Sequence, residues 1–246
     1  MRYLCEFLGT TVLLAVVTGS GIMGESLGQG NAAVALLGNS IATGAALYVL
    51  ISLLGPLSGA HFNPAVSAMF WKLGHLKTSE LFIYWACQFL GAIAGVLITH
   101  VLFGLEIIQE SSKARDGFGI WTSEFISTLI LLSVIYIGDK LAKEKIAMLV
   151  ALTVTAGYWF TSSTFFANPA VTIARSFTNT FVGISPEDVV GFIVAQIMAV
   201  VFVGLILEVR LLKLINKREN KNKETYYLKK LFGQDMKKYL PINTTW

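Results

Sequence analysis

Asn63 and Asn168 are the side chains of this sequence best suited to chemistry, because each opens an Asn-Pro-Ala triplet, Asn63-Pro64-Ala65 and Asn168-Pro169-Ala170, in apolar surroundings. Asn is a strong helix N-cap, since its side-chain oxygen accepts an unpaired amide hydrogen of the first turn. Pro suits the next position, where its fixed φ is helical and its missing N–H leaves no acceptor unserved. With each side-chain oxygen engaged in capping, the amide NH2 remains to donate to a passing oxygen atom. The chemistry this predicts is recognition of water or a hydroxyl group, with no bond made or broken. Three ionisable residues share the apolar setting. Glu6 and Glu124 could relay protons, as buried acids in membranes often do, or could accept hydrogen bonds from neighbouring loop backbone, and the supporting role is the better fit. His61 has two readings as well, lining a path beside Asn63 or packing and bonding within the loop. No Ser/His, Asp/Asp or metal-ligand cluster falls in the apolar stretches, so neither an enzyme nor a metal or cofactor is expected. Cys5 and Cys87 lack metal-like spacing and read as small apolar side chains.

The elements that position these residues follow from composition. The 246 residues are 54% hydrophobic and only 14% charged, with a mean hydropathy of +0.66, too apolar for an ordinary soluble domain. A spanning helix needs ~20 apolar residues, and six stretches qualify: 3–23, 34–55, 81–104, 119–138, 146–165 and 188–212. Arg2 before the first apolar run resembles a signal peptide, but Glu6 interrupts it and no cleavage site follows, so it reads as the first span. The charge is uneven. From Lys213 to Trp246 there are nine Lys/Arg and three acids, a basic tail of +6, while the rest of the chain carries −2. Such a tail is first a topology signal, and nucleic acid is not the expected partner. Its Lys residues alternate with Tyr226, Tyr227, Leu228, Leu231, Phe232 and Tyr239, compatible with an amphipathic helix on anionic lipid or with a cytosolic extension. Placing both termini in the cytoplasm puts sixteen of nineteen Lys/Arg in or beside cytoplasmic segments and leaves Lys113, Arg115 and Arg175 outside.

Segments 56–74 and 166–180 are left over, and they hold the two triplets. From Asn63 to about Trp71 or Leu73 is ~10 residues of helix, ~15 Å, half of a ~30 Å hydrocarbon core. Non-helical backbone at that depth survives only where protein buries it or water solvates it, so residues 58–62 and 163–167 should line a pore. The halves repeat: Glu6-Phe7 matches Glu124-Phe125, Asn63 matches Asn168, and Gln88 matches Gln196. Each repeat holds three full spans, an odd number, so the second enters the membrane from the opposite side. The expected fold class is an all-α membrane protein of six transmembrane helices and two re-entrant half-helices in an inverted repeat. Domain organisation is a channel domain at 1–212, with repeats at about 1–104 and 119–212, and the tail at 213–246. Gly91 and Gly95 form a small-xxx-small pattern that predicts close helix packing.

On Glu6, Glu124, Ser58-Gly59-Ala60-His61-Phe62-Asn63-Pro64-Ala65-Val66, Gln88 and Asn168-Pro169-Ala170, the chain resembles the aquaporin family over about 1–212. The resemblance implies a homotetramer in the plasma (inner) membrane. Each subunit would have its own pore, passing water or small neutral solutes in single file past the two asparagines.

One departure bears on cargo. Most of the family carries an arginine directly after the second Asn-Pro-Ala, in a narrow filter; here that position is Val171. The family's other filter positions, counted back from the motif asparagines, fall on Thr43, Ala156 and Phe165, with Ala156 assuming no gap before Asn168. An uncharged ring of Thr43, Ala156, Phe165 and Val171 should be wider than a water filter. Phe166 to Arg175 resembles a bacterial subgroup associated with arsenic-resistance genes, implying small hydroxylated solutes such as glycerol or arsenous acid. Arg175 lies four residues beyond Val171 on the same helix face. It would either sit in an outer vestibule or pair with Glu187, Asp188 or backbone at the helix end. The alternatives to a neutral-solute channel are a strictly water-selective channel and, from another class, a proton-coupled transporter.

Overall fold

The computed structural model describes residues 1–206. Its helices are α1 (Arg2–Gly28), α2 (Ala32–Ser58), α3 (Pro64–Lys72), α4 (Thr78–Leu102), α5 (Phe118–Leu141), α6 (Ile146–Phe160) and α7 (Pro169–Arg175), followed by α8 (Pro186–Ile206). The basic tail at 213–246 and the end of the sixth expected span, 207–212, lie outside the described residues. Helices α1, α2, α4, α5 and α8 are long and apolar enough to cross a membrane. Two short helices, α3 and α7, follow α2 and α6 in the same place in each half. The described residues thus form two copies of the same four-helix series, α1–α4 and α5–α8.

The boundaries differ from expectation in three places, each for a local reason. The first connection shrinks because α1 runs on through Glu25 to Gly28 before Gln29 (φ 46°) and Gly30 (φ 87°) turn the chain by left-handed backbone. Asn31 then caps α2, accepting from the amides of Ala33 and Val34 at 3.0 and 3.3 Å. At its other end α2 continues through Pro56, expected in a loop, to Ser58. Proline at 56 forgoes the i→i−4 bond to the Ser52 carbonyl, and α2 ends two residues later. Helix α6 is shorter than the expected 146–165: it has 15 residues and ends at Phe160, where Thr161 turns extended, with a 3-10 turn at Lys143–Lys145 before it.

Close backbone contact holds the first half together. Helix α1 packs against α2 and α4, and α2 against α6. A Cβ built on Gly91 would lie 2.5 Å from the Phe7 carbonyl oxygen, and one on Gly95 would lie 2.3 Å from that of Thr11. Only glycine permits α4 to approach α1 so closely. Chain direction places Arg2, Ser58, Thr78, Leu141 and Ile146 at one face of the bundle, with Gly28, Ala32, Leu102, Phe118 and Phe160 at the other. The re-entrant pieces therefore enter from opposite faces, after α2 from the first and after α6 from the second.

Candidate functional site

Each half-helix begins as its sequence predicts. Asn63 caps α3, its Oδ1 accepting from the Ala65 amide at 2.8 Å, and Asn168 caps α7, accepting from Ala170 at 3.0 Å and Val171 at 3.3 Å. The loops before them share an unusual backbone. Ala60 and Phe62 have φ of 49° and 48°; Phe165 and Ala167, at the same offsets from Asn168, have 55° and 47°. Left-handed backbone at a residue with a side chain costs ~1–2 kcal/mol, so something must hold these loops in place.

The two buried acids do so. Glu6 accepts from the Ser58 hydroxyl (2.7 Å), the His61 and Phe62 amides (3.0 and 2.8 Å) and Gln88 Nε2 (2.8 Å). Glu124 accepts from the Ala167 amide at 2.6 Å and Gln196 Nε2 at 2.7 Å. Each glutamine bonds onward into the half-helix of its own repeat, Gln88 to Ser67 Oγ at 2.9 Å and Gln196 to Thr172 Oγ1 at 2.8 Å. Ser67 and Thr172 both stand four residues after their motif asparagine. The bonds to loop amides answer to the supporting role read for these acids. His61 combines its two readings: its Nδ1 lies 3.1 Å from Ser67 Oγ and its ring stacks on Phe70 with centroids 4.7 Å apart, while it also lines the central cavity.

The asparagines do more than cap. Asn63 Nδ2 donates to the Ala167 carbonyl at 2.7 Å, and Asn168 Nδ2 to the Phe62 carbonyl at 2.8 Å. Each motif thus clasps the loop of the other repeat, which brings the two helix starts together. The clasp takes one amide hydrogen per asparagine and leaves the second, so the donors are half as many as the capping argument alone allows. Phe62 and Ala167 carbonyls are likewise engaged, as is that of Ser58, which accepts from Tyr84 Oη at 2.6 Å. Each of these three carbonyls keeps one lone pair with which to accept from a passing solute.

Both asparagines line a cavity of about 1170 Å³ that reaches Arg2, Asp139, Lys140, Lys143 and Glu144 towards one end and Arg175 towards the other. Of the four expected filter residues, Thr43, Phe165 and Val171 line it and are buried. Ala156 does not. It is exposed on the outside of α6, whose cavity-lining residues are Ile146, Ala147, Val150, Val154 and Tyr158. Residues two positions apart on a helix point ~200° apart, so Tyr158 points inward where Ala156 points out. Its hydroxyl lies 3.3 Å from Thr43 Oγ1. Counting back from Asn168 assumed an ungapped stretch, and the short α6 breaks that register. Tyr158 is the residue the spacing argument missed, although its place on the Val150–Val154 stripe was available as a signal.

Arg175 is 2% exposed, its Nε donating to the Val182 carbonyl and its guanidinium carbon 3.5 Å from the Phe166 ring centroid. It lines the cavity and bonds to backbone, while Glu187 and Asp188 are not its partners. The α4–α5 connection is sewn to the segment between α7 and α8. Ser111 N donates to Ser176 O (3.1 Å), Ser185 N to Lys113 O (2.8 Å), Lys113 Nζ to Phe181 O (2.5 Å) and Arg115 Nε to Gly183 O (2.8 Å). Burial, together with Arg115 and Arg175 nearby, holds the Lys113 ammonium down at about 8. Burial also lowers Arg115, to about 10, so it stays charged at neutral pH.

Comparison with known proteins agrees with this geometry. The model of the major intrinsic protein family matches residues 1–160. Aquaglyceroporin AqpS of Rhizobium meliloti (strain 1021) is 48% identical over 200 residues, covering 81% of this chain and 85% of that protein. Aquaporin NIP2-3 of Zea mays is 29% identical over 195 residues, covering 74% and 62%. Among solved structures, the aquaglyceroporin from Plasmodium falciparum superposes with a TM-score of 0.62 at 24% identity, over 82% of this chain and 92% of that one, a likeness of fold.

Proposed function

The chain belongs to the major intrinsic protein family, and from that premise we propose that it is a passive channel for water and small neutral hydroxylated solutes, with glycerol and arsenous acid as candidate cargo. It is an integral membrane protein. The observation that carries the reading is the cavity that passes both clasped asparagines and meets Val171, not arginine, after the second motif. A valine there adds neither charge nor a long side chain to the ring of Thr43, Tyr158, Phe165 and Val171. The hydroxyls of Thr43 and Tyr158 give a polyol polar contacts, and the Phe165 ring gives its carbon face an apolar wall.

Proton exclusion follows from the same parts. Helix starts carry roughly +0.5 of a charge each, and α3 and α7 start face to face, which opposes cations and protons at mid-pore. A water accepting from both remaining asparagine N–H groups has its lone pairs occupied and cannot pass a proton along the file. A proton-coupled transporter would need a pore group that takes up and releases protons; Glu6 and the Oε1 of Glu124 accept from loop amides and glutamines, and His61, which lines the cavity, has its Nδ1 3.1 Å from Ser67 Oγ.

The Arg2 and Lys140 end of the cavity faces the cytoplasm of the plasma (inner) membrane in this reading, on the support of the Lys/Arg distribution. A second reading, a strictly water-selective channel, has one observation in its favour: Tyr158 is bulkier than the alanine expected at that wall. Purified full-length protein in liposomes decides between them. Osmotic shrinkage followed by re-swelling in glycerol and in arsenous acid supports the wider channel; shrinkage without re-swelling supports the water-only one.

A further inference from the structure

Two arginines from distant parts of the chain gather on one ring. Phe166, two residues before Asn168, has the guanidinium carbon of Arg175 at 3.5 Å and that of Arg115 at 5.1 Å from its centroid. Arg175 is 2% and Arg115 9% exposed. Their hydrogen bonds go to neutral groups: Arg175 Nε to the Val182 carbonyl, Arg115 Nε to Gly183 O at 2.8 Å and Nη1 to Thr164 Oγ1 at 3.3 Å. Among the described residues no carboxylate comes within ion-pair distance of either guanidinium. Asp188 is nearby, but its Oδ2 accepts from the Arg115 main-chain amide at 2.6 Å. Charge buried without a carboxylate partner is expensive, and the fold does not require it here. At the same offsets in the first repeat stand His61 and Phe70, which fill the matching space with stacked rings. The second repeat puts arginine where the first puts phenylalanine.

We propose that Arg115 and Arg175, held together on Phe166, form the outer cation barrier of this channel, displaced from the position after the second Asn-Pro-Ala motif to the α4–α5 connection and the far end of α7. The proposal rests on the channel reading above. Arg175 lines the cavity and Arg115 stands behind Phe166, so the second acts on ions by its field and not by contact. In a low-dielectric wall two fixed positive charges repel a cation strongly. They do so without occupying the cross-section at Val171. Passage of a bulky neutral solute and rejection of ions are thereby assigned to different residues, which a single filter arginine cannot achieve. Cation–π contact with Phe166 and carbonyl bonds to Val182 and Gly183 supply part of the lost hydration.

The test uses full-length protein in liposomes and reads potassium flux relative to osmotic water flux. Arg115→Met and Arg175→Met are each expected to raise that ratio at least about tenfold, and the double variant more. Arg115→Lys and Arg175→Lys give a readout that packing alone would not move. Buried lysine loses its proton more easily than arginine, so these variants should exclude potassium at pH 6.5 and at pH 9 leak several-fold more than the wild type does at that pH. Their profile is read against the wild type, where Lys113, Glu25, Asp188, Tyr158 and Glu124 are the other titratable groups around the pair. A double Met variant that conducts water and stays potassium-tight overturns the proposal. Should the Met variants carry no water, Lys variants that follow the wild-type pH profile overturn it instead. Wild-type protein that conducts neither water nor glycerol overturns the channel reading itself.

Discussion

In the channel reading proposed above, one side chain at position 171 distinguishes two kinds of pore. Val171 lines the cavity with Thr43, Tyr158 and Phe165, and arginine there would bring both length and charge into the same cross-section. Val171→Arg is expected to cut glycerol re-swelling by about tenfold or more while reducing water flux less; equal loss of both in stopped-flow light scattering would count against the ring. Lys113 supplies a pH dependence. Its ammonium, lowered to about 8 by burial and by Arg115 and Arg175, is charged below that value and neutral above it. Raising the outer pH from 7 to 9 therefore removes positive charge from beside Arg115 and Arg175, and potassium leak should rise across that interval in wild type. In Lys113→Met the leak should already sit near the high-pH level at pH 7 and lose the step. The same shift has a stability sign: the folded state binds this proton less tightly than the unfolded chain, so folding stability rises with pH between about 8 and the ordinary 10.5.

Among the elements, the re-entrant loops are the strained ones and the glutamates are what restrains them. Four residues with side chains hold positive φ at matched offsets, and the amides of His61, Phe62 and Ala167 donate to Glu6 or Glu124. Loss of a cap costs ~1 kcal/mol, but Asn168→Ala also removes the bond to the Phe62 carbonyl. Proton flux through Asn168→Ala, followed with a pH-sensitive dye, should therefore rise together with a lowered thermal midpoint. Helix contact obeys a simpler rule. Gly95 has the Thr11 carbonyl where a Cβ would go, and that backbone cannot yield as a side-chain tip can. Gly95→Leu should cost about 3 kcal/mol or more, read as loss of the detergent-stable fraction in size-exclusion chromatography.

For the whole molecule, the inverted repeat explains why one motif serves at two depths. Two loops entering from opposite faces meet head to head, and each asparagine reaches across to the other loop. Symmetry ends at the mouths, where His61 with Phe70 faces one way and Phe166 with two arginines the other. The outside of the bundle is apolar, with Ile41, Tyr48 and Leu53 on α2 and Leu152, Trp159 and Phe160 on α6 exposed. We expect part of this surface to meet copies of the chain in a homotetramer and the remainder to meet lipid. Light scattering that corrects for bound detergent should return about four chain masses; a monomer would argue against the assembly.

Architecture was legible in the sequence because its signals are local and periodic. An Asn-Pro pair caps a helix wherever it lies, a span announces itself by length, and three spans per repeat must invert the second half. The glutamate and glutamine partners could be matched by repeat alignment, since each bonds within its own repeat. What the sequence could not supply was rotation and reach. Ala156 and Tyr158 lie two apart in one continuous apolar run; Tyr158 continues the i, i+4 stripe of Val150 and Val154, but which stripe of α6 faces the cavity is decided by packing against α2 and α5. The asparagine clasp joins two loops across the molecule. Lys113 and Arg115 appeared in the sequence merely as cations left on the outer side, and Arg175 as a vestibule or helix-end residue; their gathering around Phe166 and Phe181 is a tertiary fact. It arises because the α4–α5 connection is hydrogen-bonded to the chain between α7 and α8, a contact that no spacing in the sequence encodes.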